Sequence, residues 1–272
     1  MRKTAIWGIF VVLMAILSVF IIGCGDTNVQ PDATQPPASD NATTEAPAVE
    51  TTDQDPKTGT AGILASAAVG DIIHLGTISF TDAFGNEFSD DIGWLVLAKE
   101  DGHVLVITQD VIDYRHFNQG FVDITWEQCS VRQWLNSDFY NGLASEMRQL
   151  VQVTNVINND NLEFGTPGGN DTQDYVFLLS VDEAEDFFVS DKDRRADAIL
   201  TQGTIELLNP DYENGIVEYL QKRGGNPWML RSPGFDPRVT AGVDYDGRIV
   251  SAGGDPYYLD HMGVRPAVWL GN

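Results

Sequence analysis

The sequence has few cysteines, few basic residues and few histidines, and each shortage excludes a class of protein. Its 272 residues include two cysteines, Cys24 and Cys129, so an intrachain framework of disulfides is excluded. Against 40 acidic residues stand 16 lysines and arginines, which gives a formal net charge of −24. Such an acidic surface repels phosphate backbones, and we therefore expect no nucleic-acid partner. The four histidines are scattered singly, without zinc-site spacing.

The N-terminal segment has the pattern of a lipoprotein signal. Two basic residues precede an apolar run, Ala5 to Ile22, which ends at Gly23-Cys24. A small residue before a cysteine at this place resembles the bacterial lipobox, whose cysteine becomes lipidated after cleavage. We predict a signal peptide at residues 1–23, a lipid on Cys24 that anchors the chain to the cell membrane, and a location outside the cytoplasm. An uncleaved transmembrane anchor is the alternative, because the run is just long enough to span a bilayer.

The rest of the chain divides into a linker and one domain. Residues 24–64 are rich in Thr, Pro, Ala and Asp and poor in apolar side chains, which predicts a disordered linker. Residues 65–272 hold short apolar runs separated by turn residues, together with short amphipathic segments. This pattern predicts a single α+β domain with short antiparallel strands and a few short helices.

Local signals place several elements within this domain. Asp101-Gly102 between two apolar runs predicts a β-hairpin. Ser130 with Gln133, and Ser180 with Glu183, have capping-box spacing and predict helix starts. We also predict a short helix from Ser145, an amphipathic helix from Asp211 to Lys222, and buried strands at Tyr175–Leu179 and Gly263–Leu270.

Two apolar runs near the C-terminus each place an arginine beside a proline and a tryptophan. An arginine in a buried run must find partners, because an unpaired buried charge is costly. We therefore predict structural roles for Trp228, Arg231, Arg265 and Trp269. Trp134, on the apolar face of the helix predicted from Ser130, is predicted to be structural as well.

Four blocks of residues occur in a recognisable order. They are Trp126…Ser130-Val131-Arg132-Gln133-Trp134-Leu135-Asn136, Gly168-Gly169-Asn170-Asp171-Thr172, Trp228…Leu230-Arg231-Ser232-Pro233-Gly234, and Gly263-Val264-Arg265-Pro266-Ala267. Together they resemble an uncharacterised extracellular domain family of bacterial lipoproteins and surface proteins. More distantly, the chain resembles the superfamily of formylglycine-generating enzymes and C-type-lectin-like domains. That resemblance implies a C-type-lectin-like fold with a binding face in the loops before the last strand, from Ser232 to His261.

The loops of this last third carry aromatic, arginine and aspartate side chains among Gly, Asp and Pro. Aromatic residues and arginines are the side chains that most often anchor interfaces. The predicted binding residues are Phe235, Arg238, Asp244, Tyr245, Asp246, Arg248, Tyr257 and Tyr258. The alternative is a layer of loops that packs only on itself.

Catalytic and metal sites receive less support. The enzymes of the resembled superfamily use a pair of cysteines with copper, and Cys129 has no such companion; a buried structural thiol is the simpler interpretation. No Gly-x-Ser-x-Gly motif occurs. Clustered oxygen ligands are compatible with calcium, although their spacing does not match an EF-hand. The clusters are Asn158–Asn161, Asn170 and Asp171 with Asp174, and Asp244 with Asp246.

Three functions therefore remain open. The favoured one is a lipid-anchored, non-enzymatic module that binds a surface protein or a glycan through its C-terminal loops. The second is a cell-envelope enzyme that uses loop carboxylates with a divalent cation. The third is a structural spacer without a ligand of its own.

Overall fold

The computed structural model describes residues 59–199, 201, 225–253 and 262–271. The predicted signal peptide, Cys24 and most of the predicted linker lie outside these residues. So do the predicted helix at 211–222 and the predicted binding residues Tyr257 and Tyr258. Among the described helices, none has the length and apolar character needed to cross a membrane.

Short helices and short, mostly antiparallel strands make up the described part, which confirms the α+β class. The helices are α1 (Thr60–Ser66), α2 (Ser130–Trp134), α3 (Tyr140–Gly142), α4 (Ser145–Leu150), α5 (Val181–Phe187) and α6 (Asp191–Arg194). A 3-10 turn (Trp126–Gln128) precedes α2, and a π-helical segment (Leu135–Phe139) joins α2 to α3. The strands are β1 (Ile72–His74), β2 (Ile78–Thr81), β3 (Glu87–Asp90), β4 (Gly93–Glu100), β5 (His103–Thr108), β6 (Asp113–Arg115), β7 (Thr154–Val156), β8 (Thr172–Asp174), β9 (Trp228–Pro233), β10 (Thr240–Val243), β11 (Ile249–Val250), β12 (Met262–Val264) and β13 (Ala267–Gly271).

One sheet has four antiparallel strands in the order β1-β4-β5-β13. β4 and β5 meet at Asp101-Gly102, where both residues have positive φ, 48° and 84°. A tight hairpin turn that matches the twist of its strands needs this conformation at both central residues. The predicted hairpin is confirmed. Two further antiparallel pairs, β2-β3 and β7-β8, form separate two-stranded sheets.

The second large sheet has five strands in the order β11-β10-β9-β12-β6. Its central strand β9 pairs antiparallel with β10 and parallel with β12. The first four residues of β9 are buried, as the short apolar run there predicts. β6 and β11 form the two edges of this sheet.

The prediction of one strand over Gly263–Leu270 is wrong, because two strands in different sheets share this run. β12 joins the five-stranded sheet and β13 joins the four-stranded sheet. Arg265-Pro266 lies between them, and proline cannot donate to a strand ladder. The carbonyl of Pro266 instead accepts from the backbone N–H of Thr108 at 3.0 Å.

Arg265 holds the two sheets together at this crossing. The side chain is 1% exposed. Its guanidinium donates to the backbone carbonyls of Thr108 at 3.0 and 2.9 Å and of Gln109 at 2.9 Å. It also lies over the ring of Trp228, with 4.8 Å between the guanidinium carbon and the ring centroid. Burial lowers the pKa of Arg265 to about 10, which leaves it charged at neutral pH.

Arg231 holds β9 against α5 and β7. It is buried and forms a two-pronged ion pair with Glu183, with Nη2 2.7 Å from Oε1. It also donates to the carbonyls of Leu178 at 2.7 Å and Ile157 at 3.0 Å. Because removing one partner of such a pair leaves a buried charge, both side chains are needed for local stability.

The two predicted capping boxes differ in outcome. At α5, the Ser180 hydroxyl accepts from the backbone of Glu183, and the Glu183 carboxylate accepts from the backbone of Ser180, so that box is confirmed. The box at Ser130 is wrong, because Cys129 occupies the cap position and makes no side-chain cap bond. The Ser130 hydroxyl instead accepts from the backbone N–H of Gln119 at 2.9 Å and so fixes the loop after β6. The helix predicted from Ser145 is confirmed as α4.

Two further boundaries differ from the predictions. Residues 176–179 are buried, but they form only a single bridge, Phe177 to Ala267, rather than the predicted strand. Helix α1 crosses the predicted boundary between linker and domain at residue 64, because Thr60 and Leu64 are buried. Trp134 and Trp269 are partly buried against the core, whereas Trp228 is fully buried.

Candidate ligand-binding site

The predicted binding residues fall at opposite ends of β10. Phe235 and Arg238 lie in the turn between β9 and β10. Asp244, Tyr245, Asp246 and Arg248 lie in the turn between β10 and β11, beyond the other end of the same strand. At about 3.3 Å per residue, the four residues of β10 alone separate the two groups by roughly 10 Å. The structure therefore does not bring these six residues together into one patch.

The turn of residues 234–239 is held by hydrogen bonds to two other segments. The backbone of Phe235 donates to the carbonyl of Ala252 at 2.8 Å. The backbone of Ile124 donates to the carbonyl of Pro237 at 3.1 Å. Gly234 has no side chain, and a Cβ there would stand 2.5 Å from the Ala252 carbonyl oxygen, so this close approach requires glycine. The turn is thus fixed between the loop after β6 and the segment after β11.

A third loop is attached through Asn161. Its side-chain amide donates to the carbonyls of Pro233 and Ser251, each at 2.9 Å. The Ser251 hydroxyl in turn donates to the carboxylate of Glu163 at 2.7 Å. We call the surface formed by residues 116–125, 157–166, 234–239 and 251–253 the loop face. Its segments are separate in sequence and are joined by the hydrogen bonds named above.

Large apolar side chains project from the loop face into solvent. Phe121 is 64% exposed, Leu162 is 91% exposed and Phe235 is 47% exposed. Val122 and Phe164 are exposed as well. Each of these side chains lies in a loop that backbone or side-chain hydrogen bonds attach to the turn of residues 234–239. Fixed, exposed apolar groups of this kind are typical of interaction surfaces.

Two adjoining cavities open beside this turn. One has a volume of about 170 Å³ and lies between the loop after β6 and the strands β9, β10 and β12. The other has a volume of about 440 Å³ and lies between the same loop and α2. Arg115, His116 and Gln119 line both cavities, and we call the two cavities together the Arg115 groove. Phe121 and Arg238 line its first cavity.

Arg115 is held in place by three contacts. Its Nη2 donates to the carbonyl of Thr81. Its guanidinium carbon lies 3.8 Å from the ring centroid of Trp134, a close cation–π contact. Its Nε is 2.8 Å from Oδ2 of the buried Asp113, an ion pair without the alignment of a hydrogen bond. A guanidinium fixed in this way is prepared to meet a ligand without further ordering.

Asp113 lies beneath the groove rather than in it. Burial raises its pKa to about 6, although the charge of Arg115 and a hydrogen bond from the backbone of Tyr114 act in the opposite direction. The carboxylate of Asp82 adds to the rise. The charge of the Asp113–Arg115 pair consequently changes near pH 6.

Arg238 forms the other cationic edge of the groove. Its Nε and Nη2 each donate to Asp236 at 2.7 Å, and this pairing lowers the pKa of Asp236 to about 2. Its guanidinium carbon lies 4.7 Å from the ring centroid of Phe121. The pair is exposed, so solvent screens it and its contribution to stability is small.

The residues at the other end of β10 mainly satisfy one another. Arg248 pairs with Asp246 at 2.8 Å and lies 3.5 Å from Asp244. The backbone carbonyls of Asp246 and Gly247 accept from Arg195 at 3.0 Å and Arg194 at 2.9 Å. This turn is therefore packed against α6.

The oxygen clusters considered for calcium accept hydrogen bonds from the protein. Asp174 accepts from Trp126 at 2.9 Å, from Arg132 at 2.7 Å and from Thr172 at 2.7 Å. Asp160 accepts from the backbone of Gly168 at 2.9 Å, and Asp171 from that of Asn158 at 3.0 Å. Throughout the described ranges, no three His, Cys, Asp or Glu side chains are grouped so that they could hold a metal ion.

Cys129 is fully buried, and burial raises its pKa to about 12. The thiolate is the reactive form, so this cysteine behaves as a small core residue. Its Sγ donates to the carbonyl of Trp126 at 3.3 Å.

Prediction from sequence missed the groove residues Arg115, His116, Gln119 and Phe121. A signal for them existed: His116-Phe117-Asn118-Gln119-Gly120-Phe121 places two aromatic residues in a polar, glycine-containing loop. The same observation drew attention to Phe235, but only within the last third of the chain. The groove itself needs segments more than 100 residues apart in sequence, and no local pattern reports that proximity.

Comparison with known proteins defines the class of this domain. The family model described as "Domain of unknown function (DUF6273)" matches residues 101–272, and the chain belongs to that family. The matched residues run from the β4–β5 turn to the C-terminus and include every segment of the loop face. The prediction of an uncharacterised domain is confirmed over this range. No curated protein and no solved structure matches the chain.

Proposed function

We propose that this chain is a lipid-anchored, extracytoplasmic, non-enzymatic module that binds a surface protein or a glycan through the loop face. The observation that supports it most is the set of exposed apolar side chains, Phe121, Leu162 and Phe235, on mutually hydrogen-bonded loops beside an open groove. Because hydrogen bonds join these loops to one another, binding here has fewer groups to order and loses less conformational entropy.

The charge of the chain is consistent with this role. A formal charge of −24 keeps the protein soluble and separate from other acidic surfaces. Contacts must then come from local features, because charges further apart than about 8 Å are largely screened at physiological salt. The apolar side chains of the loop face and the two arginines of the Arg115 groove are such features.

The test uses the full chain, immobilised and exposed to envelope material from the source cells. Phe121→Ala combined with Phe235→Ala removes two exposed rings without altering the core. Val189→Ala is the matched control, because Val189 is 97% exposed and lies between α5 and α6, outside the loop face. We expect the double variant to lose specifically retained protein or glycan and the control to retain it. Equal retention by all three proteins refutes the loop face and leaves the spacer as the better account.

The two ends of β10 can be compared in the same assay. Tyr245→Ala changes the turn that packs against α6, whereas Phe235→Ala changes the loop face. We expect only the second variant to reduce retention. The opposite result would move the binding surface to the turn of residues 244–248.

The lipid anchor has a separate test. The apolar run that ends at Gly23-Cys24 is the basis for the proposal. Cys24→Ala should release the protein from the membrane fraction or leave an unprocessed precursor. Unchanged retention at unchanged molecular mass would favour a transmembrane anchor.

We also propose that the domain is C-type-lectin-like. The four sequence blocks and the position of the long excursion between β9 and β12, before the last strand, support this finer classification. An experimental structure of the domain tests it: superposition on C-type-lectin-like domains should align β9, β12 and β13 in the same order. A different strand order would remove the classification without affecting the loop face.

A further inference from the structure

The lining of the Arg115 groove differs in charge from the chain as a whole. Acidic residues outnumber basic ones by 40 to 16 over the whole sequence. The described residues that line the groove nevertheless include two arginines and a histidine and no aspartate or glutamate. The acidic partners Asp113 and Asp236 contact these arginines without lining either cavity. Each arginine is thus paired with one carboxylate, and the groove lacks the excess of acidic side chains that the rest of the chain carries.

The two arginines keep donors that the surrounding residues do not use. Within the described structure, Arg115 uses Nε and Nη2, and Arg238 also uses Nε and Nη2. No described hydrogen bond involves Nη1 of either side chain. Guanidinium donors bind carboxylates with charge-assisted hydrogen bonds that are about twice as strong as neutral ones. The Nη1 groups of Arg115 and Arg238 are two such donors, and His116 lines both cavities. This arrangement suits a ligand with more than one acidic group.

The remaining lining is neutral and polar. Asn118, Gln119, Ser130, Gln133 and Ser137 line one or both cavities. All of these side chains except that of Gln119 already make a hydrogen bond within the protein. Their remaining donors and acceptors suit the hydroxyl groups of a sugar, which also both donate and accept. Phe121 adds an exposed ring at the edge of the groove. This combination fits a chain of hydroxyl-rich units better than it fits an apolar ligand or a compact inorganic anion.

We propose that the Arg115 groove binds an oligosaccharide that carries carboxylate groups. This inference rests on the proposed binding function of the loop face and specifies its ligand class. The carboxylates pair with Arg115 and Arg238, the hydroxyl groups bond to the amide and hydroxyl side chains, and a ring packs against Phe121. The acidity of the rest of the chain disfavours a polyphosphate such as nucleic acid, whose charge density is higher.

The test is a calorimetric titration of the full chain in detergent or nanodiscs with three uronate oligomers. The probes are hexamers of galacturonate, of mannuronate and of hyaluronan, each beside its carboxyl-reduced neutral form. We expect at least one acidic oligomer to bind at least tenfold more tightly than its neutral form, because each charge-assisted hydrogen bond contributes enough for about a tenfold change or more. No binding by any acidic oligomer, or equal binding by the neutral forms, overturns the inference.

A substitution that changes charge but not shape tests whether the uronate oligomers bind in the groove. Gln119→Glu places a negative charge in both cavities with almost no change in shape, and we expect affinity to fall by about tenfold or more. Gln128→Glu is the matched control, because it makes the same change in net charge at an exposed position outside the groove. Arg238→Gln should weaken acidic binding and leave neutral binding unchanged. Equal effects of Gln119→Glu and Gln128→Glu would overturn the location.

The result can be separated from that of the proposed function. If no uronate binds while Phe121→Ala with Phe235→Ala still abolishes retention of envelope material, the ligand class is wrong and the loop face stands. Binding of hexaglutamate in place of the uronates would assign the groove to acidic peptides and overturn the saccharide. If the variants keep both the retention of envelope material and the binding of uronate oligomers, the proposed function and the proposed ligand site are both refuted.

Discussion

Replacing Arg265 by lysine tests how the two sheets are joined. The substitution keeps the positive charge but removes the planar fork that donates to the carbonyls of Thr108 and Gln109. Lysine is a compact donor on a flexible stem and cannot reproduce several bonds in one plane. The substitution also removes the cation–π contact between the guanidinium and the ring of Trp228. The expected result is a large loss of stability at constant charge.

The magnitude follows from the bonds that are lost. Arg265 makes three hydrogen bonds of 3.0 Å or shorter to the two carbonyls, and a fourth at 3.4 Å to Arg194. The carbonyl of Arg194 keeps its hydrogen bond from Trp228, so if lysine recovers one bond, the carbonyl of Thr108 or of Gln109 loses its arginine donor at about 1–3 kcal/mol. The lost cation–π contact with Trp228 adds to this loss. We expect the free energy of unfolding to fall by about 3 kcal/mol, which for a domain of this size lowers the melting temperature by roughly 6–12 °C.

Urea unfolding followed by tryptophan fluorescence measures this change directly, since Trp228 lies against the substituted side chain. Arg238→Lys is the control, because its guanidinium is exposed and its pairing with Asp236 is screened; its midpoint should not shift measurably. A loss of less than about 1 kcal/mol for Arg265→Lys would show that the carbonyls find other partners and that the arginine does not join the sheets.

Three further predictions concern single residues outside the loop face. Because burial raises the pKa of Asp113 from 3.8 to about 6, the folded protein binds more protons than the unfolded chain between these values, and stability from this group falls as the pH rises through that window. At about 1.4 kcal/mol per pKa unit, the free energy of unfolding of the wild-type protein should fall by about 3 kcal/mol relative to that of Asp113→Asn between pH 4 and 7. Parallel pH profiles of the two proteins in urea unfolding would contradict this. Gly142→Ala should cost about 1–3 kcal/mol by thermal melting, because a Cβ would stand 1.6 Å from the Ser79 carbonyl oxygen; an unchanged melting temperature would argue against the contact. In a Cys24→Ser background, Cys129 should resist thiol reagents at pH 8 until the protein is unfolded in urea, and rapid labelling of the folded protein would show that the thiol is accessible.

Features that depend on neighbours in sequence were predictable. Asp101-Gly102 specifies a hairpin because two adjacent residues must take positive φ, and Ser180 with Glu183 specifies a helix start within one turn. The burial of Trp228 and Arg231 followed from a short apolar run. Each of these signals is complete within a few residues, so no tertiary information was needed.

Features that depend on distant segments were not predictable. Gly263–Leu270 resembles one strand, but Arg265 makes its hydrogen bonds to residues more than 150 positions earlier, and this places the chain in two sheets. Ser130 has capping-box spacing, but its hydroxyl is used by Gln119. In each case a long-range partner outcompeted the local one.

In the candidate site, too, local sequence predicted some features and distant segments determined the others. Phe235 and Arg238 were selected as aromatic and charged residues in a loop, and the structure places them on the loop face. Asp244 to Arg248 satisfied the same criterion, yet the direction of β10 carries them to the other end of the sheet. Composition identifies residues suited to binding, whereas strand direction decides which of them share a surface.

The proposed function requires that the loop face, and not the opposite end of the sheet, contacts a partner. Site-specific photocrosslinking in the source cells measures this most directly. A benzophenone amino acid would replace Phe121 in one variant and Val189 in another, since both side chains are exposed but lie on different loops. We expect a discrete crosslinked protein or glycan adduct from position 121 and none from position 189. Crosslinking from position 189 alone, or from neither position, would contradict it.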